Sequence, residues 1–208
     1  MLGPLGVSWP GDLPPSYNIA PGQNILAVRQ QAGRREAVLL RWGLIPSWAK
    51  EQSIGNRMIN ARAEGIAHKP AFRQPFRQQR CLIPADGFYE WRREGNRKQP
   101  YYIHRRDDQP MMFAGLWSRW KDPEHHERIE SCTIITGEPN ELLAPIHDRM
   151  PVILDPTGYD PWLESNDLAL LEGLLSPLPA QLLEAHPVSA AVNRPAHDGP
   201  QLIEPLRE

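Results

Sequence analysis

The sequence predicts a β-rich α+β fold in one domain, and three observations lead to this prediction. Short apolar runs recur along the chain and are separated by Gly- and Pro-containing turns, which is typical of strands. The 208 residues include 23 prolines, a content that favours short elements joined by rigid turns over long helices. The helical segments lie between and after the strands, and neither a repeat nor a linker divides the chain. We therefore expect one domain over residues 1–208.

The elements can be assigned in chain order from these runs. Residues 1–16 are rich in Gly and Pro and are expected to form a loop or the frayed end of something longer. Strands are predicted at residues 25–28, 37–44, 99–104, 111–117, 128–136, 152–154 and 186–192, with residues 58–64 as a further extended candidate. Helical segments are predicted at residues 67–80, 140–146 and 158–184.

The stretch from Cys81 to Trp91 is the most informative part of the chain. Two apolar runs flank a predicted Pro84-Ala85-Asp86-Gly87 turn, and the second run carries a single carboxylate, Glu90. On a strand, Phe88 and Glu90 would share one face, and Tyr89 and Trp91 the other. Glu90 is either an exposed acid on a half-solvated strand, or a desolvated acid with a raised pKa that suits proton transfer near neutral pH.

Composition excludes several classes of protein. No apolar run approaches the roughly 18 residues that span a membrane, and no secretory signal is visible, so a cytoplasmic setting is expected. Cys81 and Cys132 cannot make a disulfide framework, and both are expected to be inert core thiols. No Cys-His spacing suggests a metal site, and we expect no cofactor.

The charge of the chain is unevenly distributed. The formal net charge is −2, but residues 57–106 carry a net charge of +8 and residues 107–208 a net charge of −12. The basic central segment would attract a polyanion to one face, unless folding mixes the charges. Within it, Lys69, Arg73, Arg77 and Arg80 recur at helical spacing and are expected to form a solvated basic face.

Several polar and aromatic residues are candidates for a site. Trp42 and Trp48 do not fit one regular face, so either both are core residues or one is presented on a loop, where it could stack on a base. Asn60 and Arg62 would share a face of an extended segment and could hold a phosphate or a polarised carbonyl, or they could form an Asx-type turn beside a surface Arg. Glu90 and His147 could as a pair move protons in both directions, and Asp148 and Arg149 beside His147 could orient its ring and hold an anion.

Six ordered motifs give this chain a close resemblance to a known family. They are Tyr17-Asn18-Ile19-Ala20-Pro21-Gly22, Trp42-Gly43-Leu44-Ile45-Pro46-Ser47-Trp48, Ile59-Asn60-Ala61-Arg62-Ala63-Glu64, Cys81 through Trp91, Ile146-His147-Asp148-Arg149-Met150-Pro151 and His186-Pro187-Val188-Ser189. Over roughly residues 17–195 the set resembles the SOS response-associated peptidase (SRAP) family of abasic-site processing proteins. The resemblance implies a single SRAP domain with mixed and antiparallel sheets, a barrel-like core and short flanking helices.

The resemblance also implies a chemistry and a partner. In the family, the α-amine and thiol of an N-terminal Cys condense with the aldehyde of an abasic site in single-stranded DNA and close a thiazolidine ring, after self-processing removes the initiator Met. Carried over by motif, the catalytic residues would be Glu90, His147 and Asn60, and the DNA-binding residues Arg62, Arg149, Trp48 and Thr136. The expected protein is a monomeric lyase and autopeptidase that is cytoplasmic, associates with the nucleoid when bound to DNA, and contacts no membrane.

The chain departs from the family pattern at its start. The family opens Met-Cys-Gly-Arg, whereas this chain opens Met1-Leu2-Gly3-Pro4 and has no Cys before Cys81. We interpret this as an opening catalytic segment that is missing from the printed sequence. The rival interpretation is a variant that binds single-stranded DNA without crosslinking to it, and a third is a cysteine hydrolase that uses Cys81 and His147.

Overall fold

In the computed structural model, residues 3–8 and 12–206 are described; Met1 and Leu2 of the opening segment lie outside this part. The strands are β1 (Asn24–Gln31), β2 (Arg34–Trp42), β3 (Asn60–Arg62), β4 (Arg80–Ala85), β5 (Gly87–Glu94), β6 (Arg97–Arg105), β7 (Met111–Lys121), β8 (Arg128–Gly137), β9 (Met150–Pro151), β10 (Ile153–Leu154) and β11 (Leu183–Pro187). The α-helices are α1 (Arg73–Gln78), α2 (Tyr159–Glu164) and α3 (Leu168–Gly173), and 3-10 turns cover Gly3–Leu5, Gln52–Arg57, Pro156–Gly158, Ala180–Leu182, Ala190–Asn193 and Pro200–Leu202.

Five strands close into a barrel. β1 pairs antiparallel with β2 and β4, β4 pairs antiparallel with β7, and β7 pairs antiparallel with β8. A parallel pairing of β8 with β2 completes the ring, and the short strands β3, β9 and β10 extend it. A closed ring leaves no free barrel edge. The predicted barrel-like core of mixed and antiparallel strands, with short flanking helices, is therefore confirmed.

A second, three-stranded antiparallel sheet has the order β11-β6-β5. The chain enters it directly from the barrel, because β4 ends at Ala85 and β5 begins at Gly87. The predicted turn at residues 84–87 is shorter than expected, a bend at Asp86 alone. The two strands it joins are not paired with each other: β4 pairs with β1 and β7, whereas β5 pairs with β6. Gly87 is required at the crossing, since a Cβ atom there would overlap the ring of Tyr102.

Alternate residues of the barrel strands pack into two hydrophobic clusters. On β4, for example, Leu82 belongs to the cluster that includes Trp162 of α2, whereas Cys81 and Ile83 belong to the cluster that includes Ile103 of the second sheet. This alternation is the period-two pattern of a strand covered on both faces. The expected division of faces on β5 also holds. Phe88 packs edge-on against Phe113 at 5.8 Å, while Tyr89 and Trp91 pack with a third cluster around Val188.

Three local expectations need correction. The helix predicted at residues 67–80 is confined to Arg73–Gln78, and Arg80 begins β4 instead of joining a solvated basic face. The Arg80 guanidinium is buried, and burial lowers its pKa to about 10. It donates to four carbonyl oxygens, those of Phe76, Arg77, Trp162 and Ser165, at 2.8, 2.6, 2.5 and 2.5 Å. The guanidinium can be buried because these four carbonyl oxygens replace the water molecules that would otherwise accept its hydrogen bonds.

The second correction concerns residues 140–146, which form consecutive turns and not a regular helix. Single α-type bonds link Ala144 N–H to Asn140 and His147 N–H to Leu143, both at 2.9 Å. Pro145 has no N–H to continue the ladder. The third correction concerns residues 186–192, where the strand is Leu183–Pro187 and Ala190–Asn193 is a 3-10 turn.

Of the predicted N-terminal loop, residues 12–16 carry no helix or strand, whereas Gly3–Leu5 is a 3-10 turn and Leu5 is buried in the core. Within residues 3–8 and 12–206, no helix has both the length and the apolar character needed to cross a membrane.

Candidate functional site

Glu90 and His147, which are 57 positions apart in the sequence, meet at one cavity. Glu90 lies in the middle of β5, opposite Tyr101 of β6, and His147 follows the turns at residues 140–146. Oε2 of Glu90 is 3.7 Å from Nδ1 of His147. Both side chains line a cavity of about 330 Å³, whose other lining residues are Trp91, Lys98 and Asn193.

Burial raises the pKa of Glu90, the acid of this pair. The Glu90 side chain is only 20% exposed, and desolvation raises the pKa of its carboxyl from 4.5 to about 7. A positive charge on His147 acts in the opposite direction, and the Asp148 carboxylate adds to the rise. Of the two interpretations of Glu90, the structure supports the desolvated acid with a raised pKa. At neutral pH such a group is present in both protonation states, which suits it to give and to take a proton.

Backbone contacts fix the orientation of the His147 ring. Its Nδ1 atom lies 3.1 Å from both the backbone nitrogen and the carbonyl oxygen of Arg149, and 3.4 Å from Oδ1 of Asp148. These contacts leave Nε2 as the ring nitrogen for a ligand. The ring and the Glu90 carboxyl can therefore act on one group in the cavity.

A second depression lies on the other side of the His147-Asp148-Arg149 segment. Its volume is about 530 Å³, and it is lined by Arg62, Glu138, Pro139, Ala144, Asp148 and Arg149. Since His147 lines the cavity and the next two residues line the depression, this tripeptide separates the two. An extended ligand could cross it and contact both.

The guanidinium of Arg149 is held by three acceptor oxygens from two residues. It donates to both carboxylate oxygens of Glu64, at 2.7 and 2.8 Å, and to the carbonyl oxygen of Thr136 at 2.5 Å. The hydrogen bonds from Arg149 to Glu64 lower the pKa of the Glu64 carboxyl to about 2. The Nε atom of Arg149 is buried without a partner in the described part of the chain. Thr136 is itself buried, so it lies behind the guanidinium as a support for it.

Asn60 and Arg62 are both exposed on β3, on the same face, as their spacing predicts. Arg62 lies opposite Thr136 of β8, which places it in the second depression with Arg149. Asn60 lies opposite Ile134. Asn60 is not one of the residues that line the Glu90 cavity, and among the described residues no hydrogen bond joins it to Glu90 or His147.

The two tryptophans have different environments. Trp42 packs against the core, and its Nε1 donates to the carbonyl oxygen of Ile59 at 2.8 Å. Trp48 is 59% exposed. One indole is therefore in the core and the other is presented to solvent.

Cys81 and Cys132 are both fully buried, and burial raises the pKa of each thiol. The prediction of inert core thiols is confirmed. A hydrolase that uses Cys81 with His147 is ruled out, because Cys81 belongs to the barrel core. In the described part of the chain, no group of three or more His, Cys, Asp or Glu side chains is arranged to hold a metal ion.

Sequence reasoning missed Lys98, Asn193 and Glu64. Lys98 is part of the basic central segment, but nothing in its spacing distinguishes it from the neighbouring Arg97. Asn193 lies beyond the last motif, which ends at Ser189, so no signal in the sequence marks it. Glu64 lies inside a motif and two residues from Arg62, which could have suggested an ion pair with another arginine.

Comparison with known proteins agrees with this architecture. The family model described as SOS response associated peptidase (SRAP) matches residues 7–195. The abasic site processing protein YoqW of Bacillus subtilis is 47% identical over 197 residues, covering 93% of this chain and 88% of that protein. The abasic site processing protein HMCES of Gallus gallus is 33% identical, covering 92% of this chain and 66% of that protein.

Among solved structures, a protein from Bacteroides thetaiotaomicron matches with a TM-score of 0.82 at 31% identity, covering 89% of this chain and 82% of that one. The match of a family model to nearly the whole chain, together with relatives of this identity, decides the family. The chain belongs to the SOS response-associated peptidase (SRAP) family.

Proposed function

We propose that this protein recognises abasic sites in single-stranded DNA and processes them with Glu90 and His147 as its proton-transfer pair. The observation that carries the proposal is the 3.7 Å approach of Glu90 to His147 at an open cavity, with the pKa of Glu90 raised to about 7. The relatives named above, which are called abasic site processing proteins, supply the substrate class.

The proposed chemistry starts from the ring-opened aldehyde of the abasic sugar. An amine of the protein adds to the aldehyde carbon, and the carbinolamine then loses water to give an imine. Glu90 in its neutral form protonates the departing hydroxyl, and in its ionised form takes a proton from the attacking nitrogen. Before this step, His147 protonates the ring oxygen of the closed sugar while the C1 hydroxyl gives its proton to water, which opens the ring to the aldehyde; on reversal His147 takes the ring-oxygen proton back.

Ring closure requires a thiol beside the amine. Addition of that thiol to the imine carbon gives a thiazolidine without loss of a further atom, and in the family both groups belong to an N-terminal Cys. Neither buried cysteine of this chain can serve. The crosslink, and the self-processing step that exposes such a residue with Glu90 as proton carrier, are therefore proposed for a chain that begins with Met-Cys.

The DNA contacts are proposed around the second depression. Arg62 and Arg149 hold flanking phosphates, and Thr136 fixes the Arg149 guanidinium from behind. Trp48 offers an exposed indole on which a base can stack. Asn60 holds the sugar linkage or the terminal residue, which requires the DNA or the chain terminus to reach β3.

A denaturing gel tests the proposal. The protein is incubated with an oligonucleotide that carries one abasic site, with and without borohydride, which traps an imine. For a chain that begins with Met-Cys we expect a heat-stable shifted band without borohydride. For the printed chain we expect no such band, but salt-sensitive binding of the oligonucleotide. Absence of preference for the abasic over the intact oligonucleotide in both chains would refute the proposal.

A second candidate is a non-covalent single-stranded-DNA-binding protein of the same fold. It requires no reactive thiol, and both described cysteines are buried. It predicts the same salt-sensitive binding and no borohydride-trapped band with either chain.

A further inference from the structure

The outer rim of the Glu90 cavity presents hydrogen-bond donors that the proposed chemistry does not use. Lys98, on β6, and Asn193, at the end of the 3-10 turn Ala190–Asn193, are both exposed and both line the cavity. In the described part of the chain, no carboxylate lies within 4.0 Å of the Lys98 ammonium. Its charge is therefore available to a ligand.

The orientation of the Asn193 amide follows from its partner. Nε1 of Trp91 lies 2.8 Å from Oδ1 of Asn193, and an indole nitrogen can only donate. The amide oxygen is therefore committed to Trp91, and the NH₂ group is left to point elsewhere. Among the described residues this NH₂ group has no acceptor, so both free groups on the rim are donors.

The wall that carries Asn193 is firmly anchored. The buried side-chain amide of Asn18 donates to the carbonyl oxygens of Val192, Arg194 and His197, at 3.1, 3.1 and 3.0 Å. A further bond joins the backbone N–H of Tyr17 to Asp198 at 2.6 Å. Asn193 thus lies in a segment that is held on both sides, and a ligand need not order it first.

We propose that Lys98 and Asn193 form a phosphodiester-binding subsite of the DNA-binding surface. A ligand that matches two donors and one positive charge is an anion with several acceptor oxygens, which is the character of a backbone phosphate. The inference rests on the proposed function. It adds a contact on the Glu90 side of the His147-Asp148-Arg149 segment, opposite the depression with Arg62 and Arg149, so that the strand is held on both sides of the lesion.

The test uses single-stranded oligonucleotides with a tetrahydrofuran abasic analogue, which cannot form an imine, so that only binding is measured. We expect Lys98→Gln to weaken binding roughly tenfold at low salt and to reduce the slope of log affinity against log salt by about 0.7. Asn193→Asp keeps the acceptor for Trp91 but replaces the donor by a carboxylate, and it should weaken binding by a similar factor.

Two variants serve as matched controls with the same charge changes elsewhere. Lys121→Gln removes an exposed lysine at the end of β7, and Asn166→Asp adds a carboxylate at an exposed position between α2 and α3. Both should bind as the wild type does, apart from a small general effect of net charge.

A set of oligonucleotides with one neutral methylphosphonate locates the contact. At one linkage, replacing the phosphate by the methylphosphonate should weaken binding of the oligonucleotide to the wild type. The same replacement should not weaken binding to Lys98→Gln any further, since the substitution and the methylphosphonate remove the same interaction. The subsite is refuted if Lys98→Gln behaves as Lys121→Gln does, or if the two effects add at every linkage, while the wild type still binds. Loss of abasic-site binding by the wild type would instead refute the proposed function and this inference with it.

Discussion

Glu90→Gln should stabilise the fold, and the gain should depend on pH. In the unfolded chain the carboxyl ionises near 4.5, whereas burial raises its pKa in the folded chain to about 7. Between these values the folded state binds more protons than the unfolded state, so the free energy of unfolding falls as the pH rises. The loss begins near pH 4.5 and is complete above about pH 7.

The expected size follows from the two pKa values. Ionising Glu90 in the folded protein costs about 3 kcal/mol more than in water, since each pKa unit corresponds to about 1.4 kcal/mol. A glutamine side chain at this position would carry no charge and would escape this cost. We therefore expect the stability gain of Glu90→Gln over the wild type to increase by up to about 3 kcal/mol from pH 4.5 to about pH 8.

Urea unfolding at the two pH values measures this difference, because a change in midpoint at constant slope reports stability. Glu124→Gln, at an exposed position in the loop that joins β7 to β8, is the control and should show no such increase. A gain for Glu90→Gln that is equal at both pH values, or a loss near pH 8, would mean that Glu90 is not desolvated as described.

Three further results are expected. Glu64→Gln should tighten binding of single-stranded DNA by roughly two- to fivefold, because it frees the Arg149 guanidinium from an exposed ion pair. Arg149→Ala should weaken the same binding, and an anisotropy titration measures both affinities. Affinities that change in the same direction in the two variants would contradict the proposed role of Arg149. Trp48→Ala should cost about 1–3 kcal/mol of DNA affinity and leave the melting temperature unchanged, since the indole is exposed; a lowered melting temperature would assign it to the core. Gly87→Ala should destabilise the protein by about 1–3 kcal/mol in urea unfolding, because its methyl group would overlap Tyr102, and a neutral result would show that the ring can move.

Local pattern was sufficient for much of the fold. Alternation of side chains on β5 was predictable because a strand has a period of two, and Phe88 and Tyr89 do pack on opposite sides. The predicted β-rich α+β class was also correct. Local pattern was not sufficient at Arg80, whose helical spacing from Arg77 predicted a solvent-exposed side chain. Its burial depends on carbonyl oxygens at and just after α2, which lie more than 80 residues away in the sequence.

The candidate site was predictable in part. Glu90 and His147 were identified from motifs, but their 3.7 Å approach depends on how the second sheet meets the turns at residues 140–146. The contacts of Asn193 could not be predicted, because they depend on a long-range amide network centred on Asn18. Family motifs mark residues that the members of a family have in common. The residues at the rim of a cavity depend instead on which distant parts of the chain the fold brings together.

The direct passage from β4 into β5 also limits how this gene can vary in length. A single residue gained or lost between Ala85 and Gly87 would shift β5 by one residue relative to the barrel. Glu90 would then lie on the opposite face of β5, where Tyr89 and Trp91 now pack. The loop at residues 122–127, by contrast, connects β7 and β8 at the surface and can change length without moving the acid. Insertions and deletions among natural variants should therefore be found in that loop and be missing at Asp86.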